Sequence, residues 1–306
     1  MPIDEITAAA AGTWTLGDET VHRMGFGSMR ITANPDPTLA IRVLRRAVDL
    51  GVNHIDTAAF YFSPGGPLDT GSGPIRYATD LIRQALTPYP DGLVIATKVG
   101  IGHDPTTGFF EADTAAALRA QVEENVRRLG RDHLDLVYLR IVKRPGRDSI
   151  AERFGALAEL RAAGLIRHLG LSNVRLDHLD EARAIAPVVC VQNGYSIDTH
   201  RGDDALVRVC ADRGIAFVPF FAIAGPRRES GPAVEHDDAV LAVARAHGVT
   251  PHQVRLAWTL HQGPHVLAIP GTGNPVHLAE NVAAGALRFA AAELATLSRR
   301  GQPPGG

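Results

Sequence analysis

The chain has 306 residues, of which 45% are apolar and 21% charged, and its formal net charge is -2. This composition is typical of a globular protein and carries no basic surplus of the kind that holds nucleic acid. No apolar run approaches the roughly 20 residues that a membrane span needs, and the opening MPIDEITAAAAG has acids where a secretory signal has lysine or arginine. We therefore expect a cytoplasmic protein whose partners include neither nucleic acid nor a membrane.

A β-hairpin is the first predicted element, because TWTLGDETVHR, within about residues 12–23, turns at Gly17 and Asp18. Eight short runs of strand character follow along the chain. They begin at residues 23, 53, 93, 134, 166, 187, 215 and 265 and read RMGFG, NHIDT, LVIATK, LDLVYLR, IRHLGLS, PVVCVQN, IAFVPF and HVLAIP.

Amphipathic segments such as PTLAIRVLRRAVDLG, AAALRAQVEENVRRLG and IAERFGALAELRAAG separate these runs. Their apolar residues recur three and four apart, and each ends on a glycine suited to a helix C-cap. Alternation of eight strands with helices predicts an α/β fold, a single (β/α)8 TIM barrel over residues 1–306 with the hairpin capping its bottom end. The tail, about residues 300–306, is polar and is predicted to be flexible.

No metal site is predicted. Cys190 and Cys210 lie inside apolar runs without neighbours at metal-ligand spacing, and the 13 histidines are scattered. Inert thiols in the core are the more common arrangement in such runs.

Function on a barrel is located at the C-terminal ends of the strands. The second strand ends in Asp56, with Tyr61 close behind, the third ends in Lys98 and the fourth in Arg140. Each residue has an ordinary alternative, since strand-end aspartates cap helices, lysines extend to solvent and tyrosines pack on rims. Together they make chemical sense: a free tyrosine ionises at about pH 10, and a cation held by a carboxylate favours its phenolate. Such a set can deliver a proton to a carbonyl oxygen.

Six segments, in order along the chain, resemble the aldo-keto reductase family: GVNHIDTAAFY, ATKVG, HLDLVYLR, GLIRHLGLSNV, CVQNGYS and IPGTGNPVHLAEN. The resemblance covers nearly the full length. It implies a barrel that binds a nicotinamide dinucleotide in extended form and reduces aldehydes or ketones, which are small-molecule carbonyl substrates. In that scheme Tyr61 protonates the carbonyl oxygen, while Lys98 and Asp56 tune it.

The resemblance also implies where the cofactor is held. Ser172, Asn173 and Gln192 would bind the nicotinamide carboxamide, and the ring would stack on Phe220, although strand-end capping and core packing are the alternatives. A glycine-rich turn after the eighth strand would bring backbone amides and a helix N-terminus to phosphate. The implied cofactor contacts are Gly27, Met29, Ser172, Asn173, Gln192, Phe220, Phe221, Gly271, Thr272, Gly273, His277, Glu280 and Asn281.

Two departures from the family concern this cofactor site. Many NADPH-using relatives have lysine and arginine where this chain has Gly271 and His277, which leaves Thr272, Asn274 and His277 to hold a 2′-phosphate. Phe221 stands where a small hydroxyl residue is more typical. We expect NADP(H) as the preferred cofactor, with NAD(H) as the alternative.

The larger departure is Arg140, because most members have a histidine there that donates a hydrogen bond to the substrate carbonyl. If Leu136, Tyr138 and Arg140 alternate inward, the guanidinium reaches the barrel mouth beside Tyr61 and offers fixed donors to an oxyanion. The structural alternative is a salt bridge to Asp56 or to a loop acid. Arginine at this position resembles a bacterial subgroup that includes pyridoxal reductases and pyridoxal dehydrogenase-like proteins, and it suits a substrate with a phenolate, carboxylate or phosphate.

Four loops after barrel strands are expected to set substrate specificity: YFSPGGPLDTGSGP, GIGHDPTTGFFEAD, KRPGRDS and AIAGPRRESGPAVEHDD. Phe62, Phe109 and Phe110 would form apolar walls there, or pack on the surface. A different class of function is also open: the same fold can serve as a cofactor-sensing or protein-interaction subunit with little turnover. Oligomeric state is not indicated by the sequence.

Overall fold

The amphipathic segments form ten α-helices in the part of the chain that the computed structural model describes, which is residues 5–34, 36–68, 73–104, 106–142, 148–199, 202–223, 233 and 235–299. The predicted tail, about residues 300–306, lies outside these ranges. The helices are α1 (Pro37–Asp49), α2 (Ala78–Leu86), α3 (Ala115–Leu129), α4 (Ala151–Ala162), α5 (Leu176–Ile185), α6 (Asp204–Asp212), α7 (Asp238–His247), α8 (Pro251–Leu260), α9 (Pro275–Ala283) and α10 (Ala291–Ser298).

Helix ends follow the signals in the sequence. Thr114 accepts a hydrogen bond from the backbone of Ala117 at the start of α3, and Gly130 ends that helix in the left-handed conformation, with φ of 64°. Glycine adopts this conformation without the steric cost of a Cβ atom, which is why it ends helices.

The strands are β1 (Thr13–Leu16), β2 (Glu19–His22), β3 (Phe26–Gly27), β4 (His54–Asp56), β5 (Phe62–Ser63), β6 (Arg76–Tyr77), β7 (Val94–Val99), β8 (Ile101–Asp104), β9 (Gly108–Glu111), β10 (Leu134–Arg140), β11 (Ile166–Ser172), β12 (Cys190–Gln192) and β13 (Ala216–Phe217). The first two pair antiparallel as the predicted hairpin. The runs LDLVYLR and IRHLGLS are strands over their whole length, and the predicted LVIATK is a strand of the same length that begins one residue later. The other predicted runs form shorter strands or, for the eighth, isolated bridges.

Seven strands form one parallel sheet in the order β13-β12-β11-β10-β7-β4-β3. The predicted eighth strand closes this sheet into a ring through two parallel bridges, Val266 with Phe217 and Ala268 with Met24. Backbone hydrogen bonds from Gly25 to Ala268 (2.8 Å) and from Phe217 to His265 (2.9 Å) hold the seam. The (β/α)8 barrel is confirmed.

Side chains divide between two cores because successive residues of a strand point to opposite faces. Val137 and Leu139 of β10 pack outward in the cluster shared with the helices. Leu136 and Tyr138 point into the barrel, where Leu16 of the hairpin closes the bottom. The next inward position of β10 is Arg140, so its side chain belongs to the mouth.

Two segments that read as loops contain short strands. β5 pairs antiparallel with β6, and β8 pairs with β9 in a hairpin across Gly102 and Phe110. These strands were missed in the sequence because they are short and because their aromatic residues are adjacent instead of alternating with polar ones.

Two remaining expectations concern cysteine and membrane segments. Cys190 and Cys210 are buried free thiols, and burial raises the pKa of Cys210 to about 12. None of the helices in the described part of the chain is both long and apolar enough to cross a membrane.

Candidate active site

A buried ion pair stands at the centre of the barrel mouth. Lys98 Nζ donates to Asp56 Oδ2 at 2.6 Å and to the backbone oxygen of Thr57 at 3.0 Å. The side chains of Lys98 and Asp56 are only 2% and 6% exposed. The parallel register explains the contact, because β4 and β7 are adjacent and end at the same edge of the sheet. A charged pair so little exposed to solvent must remain paired, since either partner alone would be a buried unpaired charge.

Tyr61 lies beside this pair. Lys98 Nζ is 4.7 Å from the centroid of the Tyr61 ring, and the ring is in edge contact with Phe60 at a centroid distance of 5.1 Å. The structure therefore places a cation and its carboxylate next to the tyrosine that the sequence singled out. A cation held this close favours negative charge on a neighbouring phenolic oxygen.

Three further polar side chains extend the cluster across the sheet. Gln192 Nε2 donates to Asp56 Oδ1 at 2.7 Å, Ser172 Oγ donates to Gln192 Oε1 at 3.4 Å, and Arg140 Nη1 donates to Ser172 Oγ at 3.0 Å. Asp56 and Gln192 therefore lie in one hydrogen-bonded chain with Arg140. The sequence identified all of these residues but not their connection.

Arg140 makes no salt bridge to an acid within the described residues, and Asp56 is paired with Lys98 instead. The alternative of a structural salt bridge to Asp56 is thus wrong. The Arg140 guanidinium carbon lies 4.9 Å from the centroid of the Phe220 ring, a cation–π contact.

A cavity of about 320 Å³ opens next to this guanidinium. Asn173, Phe220 and Phe221 line it, as predicted cofactor residues, and Asn173 Nδ2 also donates to the backbone oxygen of Ile141 at 2.9 Å. Phe221 has φ of 64°, a left-handed conformation that costs a residue with a side chain about 1–3 kcal/mol. No signal in the sequence pointed to the other residues that line the cavity, which are Gly194, Thr199 and Asp203.

The glycines near the cofactor loop have a packing role in the structure. A Cβ atom on Gly27 would lie 2.6 Å from the backbone oxygen of Ile269, and one on Gly271 would collide with the backbone oxygen of Gly27. The first strand and the loop after the eighth strand thus meet backbone to backbone. Contact of these two glycines with a cofactor stays a prediction.

The same segment carries a buried hydroxyl that sequence reasoning passed over. Ser28 lies between Gly27 and half-buried Met29, and its backbone N–H donates to the backbone oxygen of Asp56 at 2.9 Å. Ser28 is fully buried, and its Oγ has no hydrogen-bond partner in the described residues. An unsatisfied buried hydroxyl next to a predicted binding site is the kind of group that a ligand can satisfy.

The remaining predicted cofactor residues follow the eighth strand, in the loop after it and on α9. Thr272 Oγ1 accepts from the backbone of Asn274 at 3.0 Å, and Asn274 caps α9. A Cβ on Gly273 would meet the side chain of Asn34. On α9, His277 is exposed, Glu280 half-buried and Asn281 buried.

No group of three or more histidine, cysteine, aspartate or glutamate side chains within the described ranges could hold a metal ion. Phe62, one of the predicted apolar walls, is buried, whereas Phe109 and Phe110 of β9 are 60% and 49% exposed. Phe109 nevertheless contacts Phe60 at a centroid distance of 6.3 Å and so continues an aromatic surface that begins at Tyr61.

Comparison with known proteins agrees with this geometry. The profile of the Aldo/keto reductase family matches residues 23–300. Pyridoxine 4-dehydrogenase of Escherichia coli (strain K12) is 42% identical over 301 residues, which are 94% of this chain and 98% of that protein. An uncharacterized oxidoreductase of Schizosaccharomyces pombe is 34% identical over 305 residues, covering 97% and 92%. The solved structure of an aldo/keto reductase from Klebsiella pneumoniae in complex with NADP and acetate has a TM-score of 0.76 at 27% identity and covers 94% of each chain.

Proposed function

The chain belongs to the aldo/keto reductase family and is an NADP-dependent oxidoreductase acting on small carbonyl compounds, and we propose that it interconverts an aromatic aldehyde of the pyridoxal type with its alcohol. The similarity to pyridoxine 4-dehydrogenase over almost the whole chain supports this substrate class. The observation that carries the proposal is the buried Asp56–Lys98 pair beside Tyr61, because it supplies a proton donor with a fixed cation next to it.

Bound NADPH supplies the hydride that goes to the carbonyl carbon. Tyr61 gives its phenolic proton to the carbonyl oxygen, and Lys98 stabilises the phenolate left behind. Asp56 pairs with Lys98 and orients it. Solvent returns the proton to Tyr61, and in the direction of alcohol oxidation the phenolate accepts the proton instead.

Arg140 has a different task in this scheme. A guanidinium remains protonated at all working pH values, since its pKa exceeds about 12, so it cannot be the proton donor. Its fixed N–H groups stabilise negative charge on the substrate, either the developing oxyanion or a phenolate beside the aldehyde. Pyridoxal carries such a phenolic oxygen next to its aldehyde.

The residues beside Arg140 support binding of the nicotinamide end of the dinucleotide at this site. Asn173, Phe220 and Phe221 line the cavity beside Arg140, and the buried Ser28 hydroxyl stands at the first strand end. We propose that Ser172, Asn173 and Gln192 hold the nicotinamide carboxamide. Thr272, Asn274 and His277 are proposed to hold the 2′-phosphate, and Glu280 and Asn281 the adenine.

The test is the loss of reduced-nicotinamide absorbance when the full chain is mixed with NADPH and pyridoxal. Tyr61→Phe should reduce turnover by about 10²–10⁴-fold, the usual contribution of a positioned acid, and leave NADPH binding by fluorescence quenching unchanged. Tyr77→Phe is the matched control, since the Tyr77 ring, in β6, contacts Phe62 at a tilt and the Arg128 guanidinium, whereas the Tyr61 ring contacts Lys98.

Near-native turnover of the Tyr61 variant would remove the proton-donor assignment. Tight NADPH binding by a native protein that turns over no aldehyde in a panel of aromatic carbonyls would favour the cofactor-sensing alternative.

A further inference from the structure

We infer that Gln192 is a positioning residue for Asp56, and that Gln192 and Ser172 form a directed hydrogen-bonded chain that couples Arg140 to the Asp56–Lys98 pair. This inference rests on the proposed function and gives two residues of the predicted carboxamide site a second task. The direction of each hydrogen bond in this chain depends on which of its atoms can donate and which can only accept.

The direction of the chain is fixed by its two ends. An ionised carboxylate only accepts, so the Gln192 atom at 2.7 Å from Asp56 Oδ1 must be the amide nitrogen. The amide oxygen then faces Ser172, whose hydroxyl donates to it at 3.4 Å. A guanidinium only donates, so Ser172 must accept from Arg140 at 3.0 Å. Every proton in the chain therefore points from Arg140 towards Asp56.

Burial makes this chain consequential. Ser172 and Gln192 are fully buried, and Asp56 is 4% exposed. Both oxygens of the carboxylate are engaged, Oδ2 by Lys98 and Oδ1 by Gln192. In a low-dielectric site, aligned hydrogen bonds strengthen one another, so the position of Asp56, and with it Lys98, depends on the amide. The contact at 3.4 Å is the longest link and hence the weakest.

Gln192→Glu is the substitution that separates this role from a contact with the cofactor. A protonated glutamic acid keeps the pattern of the amide, because its hydroxyl donates to Asp56 and its carbonyl oxygen accepts from Ser172. An ionised one would set two carboxylates against each other at hydrogen-bond distance, where they share one proton. The variant should therefore work in acid and fail as the pH rises.

Other titratable groups around Asp56 do not imitate this behaviour. His54 (β4), Tyr138 (β10) and Cys190 (β12) are its buried neighbours. Burial lowers the pKa of His54 to about 4 and raises the pKa of both Tyr138 and Cys190, so these three stay neutral between about pH 5 and pH 9. Tyr61, Lys98 and Arg140 face the site in native and variant protein alike, so the variant is compared with the native profile at each pH.

The experiment measures kcat against pH, from about 5 to 9, together with the Kd of NADPH by fluorescence quenching, for the native chain and Gln192→Glu. We expect the ratio of variant to native kcat to fall at least about tenfold from the acid to the alkaline end. Gln262→Glu is the matched control, because Gln262 bonds the Trp258 backbone oxygen below the barrel, and it should follow the native profile. Ser172→Ala should lower kcat about fivefold, and Ser172→Thr, which keeps the hydroxyl, should restore most of it.

A constant ratio across the pH range, with only the NADPH Kd raised, would overturn the inference and leave Gln192 as a cofactor contact. If the native chain shows no turnover, the proposed function fails, and the coupling is judged by the thermal midpoint instead. The proton shared between the introduced glutamate side chain and Asp56 stabilises the folded variant at low pH and is lost as the pH rises. The thermal midpoint of Gln192→Glu should therefore fall further below the native midpoint as the pH increases. A deficit independent of pH would refute the coupling.

Discussion

Lys98→Met should lower the free energy of unfolding by about 3–5 kcal/mol, because it leaves the Asp56 carboxylate buried without its cation. The pair is 2.6 Å apart, and the side chains are 2% and 6% exposed, so solvent provides little screening. Methionine keeps most of the apolar stem of lysine, and the substitution thus isolates the charge from the packing.

The thermal midpoint gives a direct measurement. For a chain of 306 residues, the average entropy of unfolding converts that loss into a decrease of about 5–8 °C. Circular dichroism during heating, and urea unfolding analysed by linear extrapolation, measure it in two independent ways.

Arg119→Met is the matched control. It breaks the Arg119–Glu123 pair, whose side chains are 51% and 56% exposed, and should cost no more than about 0.5 kcal/mol. Adding Asp56→Asn to Lys98→Met should recover part of the loss, since no buried charge then remains. Equal midpoint shifts for Lys98→Met and Arg119→Met would refute the reasoning.

Three other outcomes follow from the structure. Arg140→Leu should lower kcat/KM about 10–100-fold for an aromatic aldehyde with an ionised phenol and much less for one without it, while Arg140→Lys retains part of the difference in steady-state kinetics. His54 is neutral in the fold, because burial lowers its pKa to about 4. About 3 kcal/mol of folding stability should therefore be lost as the pH falls from 6.5 to 4. Over that range the urea midpoint of His54→Phe should fall less than the native midpoint does. Gly170→Ala should destabilise by about 1–3 kcal/mol in thermal melts, because the new Cβ lies 2.7 Å from the Tyr138 ring and 2.9 Å from the Cys190 backbone oxygen. Tyr138→Leu should relieve only the part of the clash that the ring causes.

Strand ends could be predicted from the sequence where local signals were strong. The runs containing Leu134 and Ile166 are long, rich in branched residues and bounded by helices, so both strands begin and end as predicted. The contact of Asp56 with Lys98 followed from their positions at neighbouring strand ends in a barrel. Alternation also predicted the inward direction of Arg140, since Leu136 and Tyr138 lie in the barrel interior.

Long-range contacts could not be predicted in this way. The partner of Gln192 is Asp56, 136 positions away in sequence, and the contact depends on the closed ring and on side-chain rotamers. Gly27 and Gly271 could serve a turn, a cofactor or packing, and only the meeting of the first strand with the loop after the eighth shows the packing. The hairpin of β8 and β9 was missed because Phe109 and Phe110 are adjacent, which breaks the period of two.

The uneven ladders of the barrel have a mechanical consequence. Arg140 and Ser172 end the long strands β10 and β11, and Lys98 is the penultimate residue of β7. In contrast, β3 and β13 have two residues each, and the eighth strand is joined by single bridges. We expect the barrel to be stiffer under Lys98, Arg140 and Ser172, where small errors of position are costly. The side with the short ladders carries Gly27, Phe220 and Gly271, which are the residues along which we propose that the dinucleotide enters and leaves. We therefore expect one side of the barrel to stay rigid while the other side deforms more easily.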